Sequence, residues 1–154
     1  MTKLVIDASV AMKWVIGEDG TAEALTLLRK AELSAPDLLV AECANIIWKK
    51  VQKRELKKDE ALLIARLLEK AEVELLPTRT LLEPAARMAI ELGHPAYDCV
   101  YLSLAIENNR RFVTADARFL RKLEENRAHR FRDAAISLSQ AARELQSASP
   151  GRNE

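Results

Sequence analysis

Residues 3–9 read KLVIDAS, a short apolar run that ends at a carboxylate. The aliphatic and β-branched side chains of residues 4–6 predict a buried strand, and Asp7 marks its end. Ser9 stands where a helix N-cap is expected, ahead of the apolar residues 10–16. This order of strand, carboxylate and helix is the repeating unit of a parallel α/β sheet.

The same order recurs along the chain. Residues 111–116 read RFVTAD, again an apolar run that ends at an aspartate. Between these two units, apolar residues recur mostly at helical spacing, broken at Gly93-His94-Pro95. Further short strands are predicted at 33–35, 73–77 and 130–131, and a last helix at 134–145.

This alternation predicts a three-layer α/β/α sandwich with a mostly parallel central sheet. Residues 1–146 are expected to form a single domain, because neither a repeat nor a shift in composition marks a linker. Residues 147–154 are expected to be a flexible tail.

Composition places the chain among ordinary globular proteins. Of its 154 residues, 49% are hydrophobic and 31% are charged, and the formal net charge is +1. Such a balance creates no overall field that would recruit nucleic acid or anionic lipid. The first apolar run is too short for a signal sequence, and no stretch approaches the roughly 18 apolar residues of a membrane span. We therefore expect a soluble, cytoplasmic protein with no membrane partner.

Several kinds of site are excluded by what the chain lacks. Its four glycines are not clustered as a dinucleotide or phosphate-binding loop requires. His94 and His129 have no zinc-type neighbours, and Cys43 and Cys99 do not form a C-x-x-C pair.

Four acids lie within apolar runs instead of on charged helix faces: Asp7, Glu42, Asp98 and Asp116. Asp7 and Asp116 follow strands, at the edge of a parallel sheet where ligands bind, whereas Glu42 and Asp98 lie on helices. Taken singly, each acid also suits a turn, a helix cap or a buried ion pair.

A shared divalent cation explains the four acids together. Two carboxylates about 4 Å apart repel each other by roughly 4 kcal/mol at an effective dielectric constant of about 20. An all-oxygen ligand set selects Mg²⁺, with Mn²⁺ as a possible substitute, and points to phosphoryl chemistry.

These motifs resemble those of the PIN-domain ribonucleases, and the size and layout of the chain are similar to the VapC toxins of type II toxin-antitoxin pairs. The resemblance rests on LVIDAS at 4–9, Glu42 with Asn45, YDCVYLSLA at 97–105 and TADARF at 114–119. It implies a PIN-like fold and Mg²⁺-dependent endoribonuclease activity. It also implies a homodimer and a small cognate antitoxin as partners, with RNA as the substrate.

The resemblance assigns roles to individual residues. The metal-binding and catalytic set is expected to be Asp7, Glu42, Asp98 and Asp116. The polar helpers beside them are expected to be Ser9, Asn45 and Thr114.

Two basic stretches could hold RNA despite the balanced total. Residues 49–58 and 110–132 each carry a net charge of +5. The first is expected to be a solvated helix face. The second surrounds Asp116 and is expected to contact RNA through Arg118, Arg121 and Lys122.

Three alternatives stay open at this stage. The chain could be a stand-alone PIN-type nuclease that processes RNA, or a non-catalytic module that binds RNA or protein and merely retains the carboxylates. A metal-dependent phosphatase or DNA nuclease would use the same ligands.

Overall fold

The computed structural model describes residues 1–125 and 129–148. The strands and helices, in chain order, are β1 (Thr2–Ile6), α1 (Ala8–Val15), α2 (Thr21–Lys30), β2 (Ala31–Pro36), α3 (Leu38–Gln52), α4 (Lys58–Glu69), β3 (Val73–Leu76), α5 (Leu82–Leu92), α6 (Ala96–Glu107), β4 (Arg111–Thr114), α7 (Ala117–Glu125), α8 (His129–Arg132), β5 (Ala135–Ser137) and α9 (Leu138–Ser147).

The strands form one sheet in the order β3-β2-β1-β4-β5. All four pairings between them are parallel. β1 lies at the centre, where Val5 stands opposite Ser34 of β2 and Phe112 of β4. Because every strand points the same way, the ends of β1 and β4 meet at one edge of the sheet.

Helices cover both faces of this sheet. Leu4, Val5 and Ile6 are consecutive and all buried. Since successive side chains of a strand point to opposite faces, burial of all three requires cover on each side. Each such side chain contributes about 1.5–3 kcal/mol by leaving water. The predicted α/β/α sandwich with a parallel sheet is therefore confirmed.

Three buried aromatic rings pack the helices of the carboxyl half against β4. Tyr101 of α6 stacks on Phe112 with ring centroids 5.5 Å apart, and Phe119 of α7 lies 6.1 Å from Phe112. All three rings are among the largest fully buried side chains of the core. This packing fixes α6, which carries Asp98, and α7, which begins directly after Asp116.

The strand predicted at 130–131 is wrong. That stretch belongs to α8, where Phe131 is buried, and the last strand is β5, five residues further along. β5 has three residues, AIS, and among the described strands it pairs with β4 alone, so it lacks a run of apolar residues long enough to predict.

The last helix, α9, therefore begins at Leu138 instead of residue 134 and extends to Ser147. The predicted tail at 147–154 overlaps α9 by one residue, and residues 149–154 lie outside the described part of the chain. Over the residues that the structure describes, no helix has both the length and the apolar character needed to cross a membrane.

Candidate active site

The sheet brings two of the predicted acids to one edge. Asp7 directly follows β1, and Asp116 lies two residues beyond β4, while Ile6 and Val113 pair across these strands. Glu42 lies in the second turn of α3, and Asp98 lies in the first turn of α6.

Asp7 is the most deeply buried of the four acids, with 5% of its surface exposed. Its Oδ1 accepts a hydrogen bond from the backbone N–H of Val10 at 3.1 Å, so Asp7 is the N-cap of α1. The prediction that Ser9 caps this helix is wrong, because α1 already begins at Ala8. The carboxylate thus joins the end of the strand to the start of the helix.

Two hydroxyl groups hold the Asp7 carboxylate from opposite sides. Ser9 Oγ donates to Asp7 Oδ1 at 2.5 Å and accepts from the backbone N–H of Ala115 at 3.2 Å. Thr114 Oγ1 donates to Asp7 Oδ2 at 2.6 Å and accepts from the backbone N–H of Asp116 at 3.0 Å. Each hydroxyl therefore connects Asp7 to the loop that follows β4.

The third predicted helper lies apart from these contacts. Asn45 is exposed, and its side chain forms no hydrogen bond within the described residues. Ser9 and Thr114 therefore bond Asp7, whereas among the described residues Asn45 forms no hydrogen bond to it.

We expect Thr114→Val to lower the free energy of unfolding by about 1–3 kcal/mol, because valine keeps the shape but leaves the Asp116 N–H and Asp7 Oδ2 without their partner. Thr114 is fully buried, so water cannot replace the hydroxyl. Urea unfolding would measure the change. Ser139→Ala, which removes an exposed hydroxyl in α9, is the control and should change stability by less than about 0.5 kcal/mol. Unchanged stability in Thr114→Val would contradict this role.

Glu42 carries a buried oxygen that has no hydrogen-bond partner among the residues that the structure describes. Its Oε1 is out of contact with solvent, and the nearby Tyr101 hydroxyl is likewise unpartnered. The pKa of Glu42 is raised to about 7, chiefly by burial and in part by the charges of Asp7 and Asp98. Tyr101 offsets part of this rise in pKa, although the two groups do not have the geometry of a hydrogen bond.

The pKa of Asp7 is also raised, to about 6. Burial is the main cause and the charge of Asp98 adds to it, while the bonds from Ser9, Thr114 and Val10 act in the opposite direction. Asp7, Glu42 and Asp98 therefore lie within electrostatic reach of one another, and we refer to these three residues as the acid cluster. Mutual repulsion of this kind favours a bound cation or a proton.

Asp116 is held differently. Its Oδ1 accepts from the backbone N–H of Arg118 at 2.9 Å, and Arg118 Nε lies 3.9 Å from the same oxygen. The Arg118 side chain is 86% exposed, so this ion pair is weak. The contacts of the Asp116 carboxylate are thus with Arg118, and Asp116 lies at the shared edge of the sheet without being one of the three residues of the acid cluster.

One residue beside the acid cluster was not predicted as part of the site. His94 Nε2 lies 2.7 Å from Asp98 Oδ2. The signal in the sequence was the i, i+4 spacing of these two residues. It was obscured because His94 stands in the break between two helices, where helical spacing is not expected.

The donors of the acid cluster are chemically suited to a hard divalent cation. All are carboxylate oxygens, and the buried, unpartnered Oε1 of Glu42 is a free ligand atom. Within residues 1–125 and 129–148, however, no three side chains of His, Cys, Asp or Glu are already arranged to hold a metal ion. A shared ion would therefore require these carboxylates to rearrange.

Comparison with known proteins agrees with the fold and the motifs. The family model for the PIN domain matches residues 4–125. Ribonuclease VapC3 of Pyrobaculum aerophilum is 29% identical over 126 residues, which cover 78% of this chain and 94% of the relative. The crystal structure of PAE2754, also from Pyrobaculum aerophilum, has a TM-score of 0.69 at 23% identity and covers 95% of this chain and 96% of its own.

A further similar structure is VapBC2 from Rickettsia felis, bound to a DNA fragment from their promoter. Its TM-score is 0.58 at 15% identity, and the match covers 78% of this chain and 92% of that chain. At this identity the likeness concerns the fold alone.

Proposed function

This chain belongs to the PIN-domain family, and from that premise we propose that it is a Mg²⁺-dependent endoribonuclease acting as the toxin of a toxin-antitoxin pair. The reaction is hydrolysis of an RNA phosphodiester bond. The likeness to a relative named as a ribonuclease supports this reading over a phosphatase or a DNA nuclease.

The observation that carries the proposal is the acid cluster. Asp7 and Glu42 have pKa values raised to about 6 and about 7, chiefly by burial. Neighbouring carboxylates with strongly raised pKa values are typical of functional sites, because a stable fold gains nothing from burying carboxylates that repel one another. A non-catalytic binding module would have no need of them.

The residues proposed to hold Mg²⁺, or Mn²⁺ in its place, are Asp7, Glu42 and Asp98, with Asp116 at the edge of the same site. When bound, the ion would supply activation of water and neutralise charge that develops on the phosphate oxygens. Neighbouring polar residues orient the carboxylates. Ser9 and Thr114 fix both oxygens of Asp7, which leaves the carboxylate little freedom to rotate.

The proposal is tested by incubating the purified protein with structured RNA and MgCl₂, with a chelator control. Cleavage that needs the metal and spares DNA and small phosphate esters is the expected result. Cleavage of DNA at an equal rate would favour a DNA nuclease, and release of phosphate from esters would favour a phosphatase. A protein that binds RNA without cutting it under any of these conditions would leave the binding module as the better reading.

The partners are proposed from the same likeness. VapBC2 of Rickettsia felis, whose fold this chain resembles, was solved bound to promoter DNA. We propose a small antitoxin and a second copy of this chain as protein partners. Cys43 and Cys99 are both free thiols, which suits the proposed cytoplasmic location.

The basic stretch around Asp116 is proposed to hold the RNA backbone through Arg118, Arg121 and Lys122. We expect the double charge reversal Arg118→Glu with Arg121→Glu to weaken RNA binding. We also expect it to reduce the slope of log affinity against log salt concentration by roughly 0.7 for each lost phosphate contact. Fluorescence anisotropy at several salt concentrations would measure both.

A matched control is the double reversal Lys57→Glu with Lys58→Glu. These two exposed residues belong to the other basic stretch, which is expected to be a solvated face. Their reversal should leave the salt slope nearly unchanged. If both double variants lose binding equally, the contact is a general charge effect and the assignment to Arg118 and Arg121 is wrong.

A further inference from the structure

His94 is held in a defined turn between α5 and α6. α5 ends at Leu92, and its C-cap is Gly93, which has a φ of 62° in the left-handed region, where a residue without Cβ is favoured. The backbone N–H of His94 then donates to the carbonyl oxygen of Ala89 at 3.1 Å. Pro95 follows and is the N-cap residue of α6. The backbone on both sides of His94 is therefore restricted before its side chain makes any contact.

The His94 ring lies between two parts of the candidate active site. Its Nε2 is 2.7 Å from Asp98 Oδ2, and 17% of its side chain is exposed. The opposite contact is with Phe119 of α7, whose ring centroid lies 4.8 Å away. Phe119 is fully buried and stands three residues after Asp116. One imidazole thus joins Asp98 to the helix that follows Asp116.

The position of the Asp98 carboxylate depends on its contact with His94 more than the position of the Asp7 carboxylate depends on any single hydrogen bond. The Asp7 carboxylate is fixed by three donors: Ser9, Val10 and Thr114. For Asp98, by contrast, His94 is the one hydrogen-bond partner of the carboxylate within the described residues. Without it, the Asp98 side chain would be free to change rotamer toward solvent.

We infer that His94 is the positioning residue of Asp98: its Nε2 holds one carboxylate oxygen, which keeps the Asp98 side chain within electrostatic reach of Asp7 and Glu42, and its ring rests on Phe119. The inference depends on the proposed function, because it concerns a residue behind a proposed metal ligand. Outer partners of this kind orient the ligands they contact, and their loss typically lowers metal affinity or activity about 10- to 100-fold.

A purely structural role would give a different pattern, and two substitutions separate the two roles. His94→Phe keeps an aromatic ring against Phe119 but has no nitrogen to bond Asp98. His94→Gln places an amide N–H at about the reach of Nε2 but removes the ring. Metal affinity should follow the donor if His94 positions Asp98, and thermal stability should follow the ring.

The experiment titrates each purified full-length variant with MnCl₂ by calorimetry and records its thermal unfolding and its circular dichroism. We expect His94→Phe to raise the dissociation constant for Mn²⁺ about 10- to 100-fold while remaining folded. We expect His94→Gln to stay within a factor of about 3 of the wild-type affinity although it melts at a lower temperature. In RNA cleavage, His94→Phe should need more Mg²⁺ for half-maximal rate with an unchanged KM for RNA.

The inference is overturned if His94→Phe binds Mn²⁺ as tightly as the wild-type protein, or if affinity is lost in His94→Gln and kept in His94→Phe. Asp98→Asn distinguishes this failure from failure of the proposed function. If the wild-type protein binds Mn²⁺ no better than Asp98→Asn, the metal site itself is absent and both proposals fall. If the wild-type protein binds Mn²⁺ more tightly than Asp98→Asn does, and His94→Phe binds it as tightly as the wild-type protein, the nuclease proposal stands and the proposed role of His94 is wrong.

Discussion

Replacing Asp7 by asparagine should lower the rate of RNA cleavage by at least about 100-fold. Loss of a residue that merely contacts a metal ligand typically lowers activity by about 10- to 100-fold, and loss of a ligand itself should have at least the larger effect. The substitution removes the negative charge that would bind the ion, and it leaves the size of the side chain nearly unchanged. Asp7 is the proposed ligand with the most defined position, since three donors hold its two oxygens. No neighbouring acid can take over a position fixed in this way.

The fold is expected to survive this change. Asparagine is as good an N-cap as aspartate, so the bond from the backbone N–H of Val10 to the side chain can remain. The substitution also removes a buried charge that is repelled by Asp98 and Glu42. A folded protein that has lost its activity is therefore the expected product.

The measurement is the single-turnover rate on one RNA at saturating Mg²⁺, compared among three variants. Asp98→Asn should be as inactive as Asp7→Asn. Asp37→Asn is the matched control, because Asp37 also follows a strand, β2, at the same edge of the sheet but is exposed and stands outside the acid cluster. Full activity in both Asp7→Asn and Asp98→Asn would exclude the acid cluster as the catalytic site.

The sheet edge was predictable because it follows from local patterns. Each of the segments 3–9 and 111–116 contains an apolar run that ends at an aspartate, and alternation with helices implies parallel strands. Parallel strands place their carboxyl ends together whatever the strand order. Asp7 and Asp116 could therefore be brought to one edge without knowledge of the strand order.

The partners of the acids were less accessible from the sequence. Thr114 and Asp7 are 107 residues apart, so their bond depends on β1 and β4 being neighbours, which local patterns do not reveal. Ser9 was expected to cap α1, but it instead bonds Asp7 and the loop after β4. The resemblance singled out Ser9 and Thr114, but the sequence could not show that both hydroxyl groups bond Asp7.

Elements at the edge of the sheet were harder to predict for a physical reason. β5 pairs on one side only and has three residues, so its sequence carries little apolar signal. His94 shows the same limit in a different form. Its neighbours Gly93 and Pro95 indicate a break between helices, and only the completed turn shows that the side chain returns to Asp98.

The pH dependence of stability should show the electrostatic cost of the acid cluster in the metal-free protein. Burial raises the pKa of Asp7 from its ordinary value of 3.8 to about 6. A raised pKa means that the folded protein binds the proton more tightly than the unfolded chain does. Stability from this group is therefore fully present below the unfolded pKa and is lost as the pH rises through the folded one.

The size of this loss follows from the shift. A change from 3.8 to about 6 corresponds to about 3 kcal/mol at 1.36 kcal/mol for each pKa unit. Glu42 acts in the same direction, with a pKa raised to about 7 by burial and by the charges of Asp7 and Asp98. Other groups also titrate, so the informative quantity is the difference between the wild-type protein and Asp7→Asn at each pH.

Urea unfolding in the presence of a chelator would measure this difference between about pH 4 and about pH 8. Near the lower value the two proteins should differ least in free energy of unfolding, since Asp7 is protonated in the folded wild-type chain and still partly protonated in the unfolded one. Near the higher value the wild-type protein should be less stable by about 3 kcal/mol, because it alone must bury the charge.

Mg²⁺ should remove this deficit in the wild-type protein and leave Asp7→Asn unchanged. At a hundredfold excess over its dissociation constant, a ligand that binds only the folded state adds about 2.7 kcal/mol, close to the loss that the charge of Asp7 causes. The destabilising repulsion and the affinity for the ion thus have one origin, the acid cluster. A stability difference between the two proteins that is the same at every pH would show that Asp7 is not electrostatically strained. Equal stabilisation of both proteins by Mg²⁺ would show that the ion binds elsewhere.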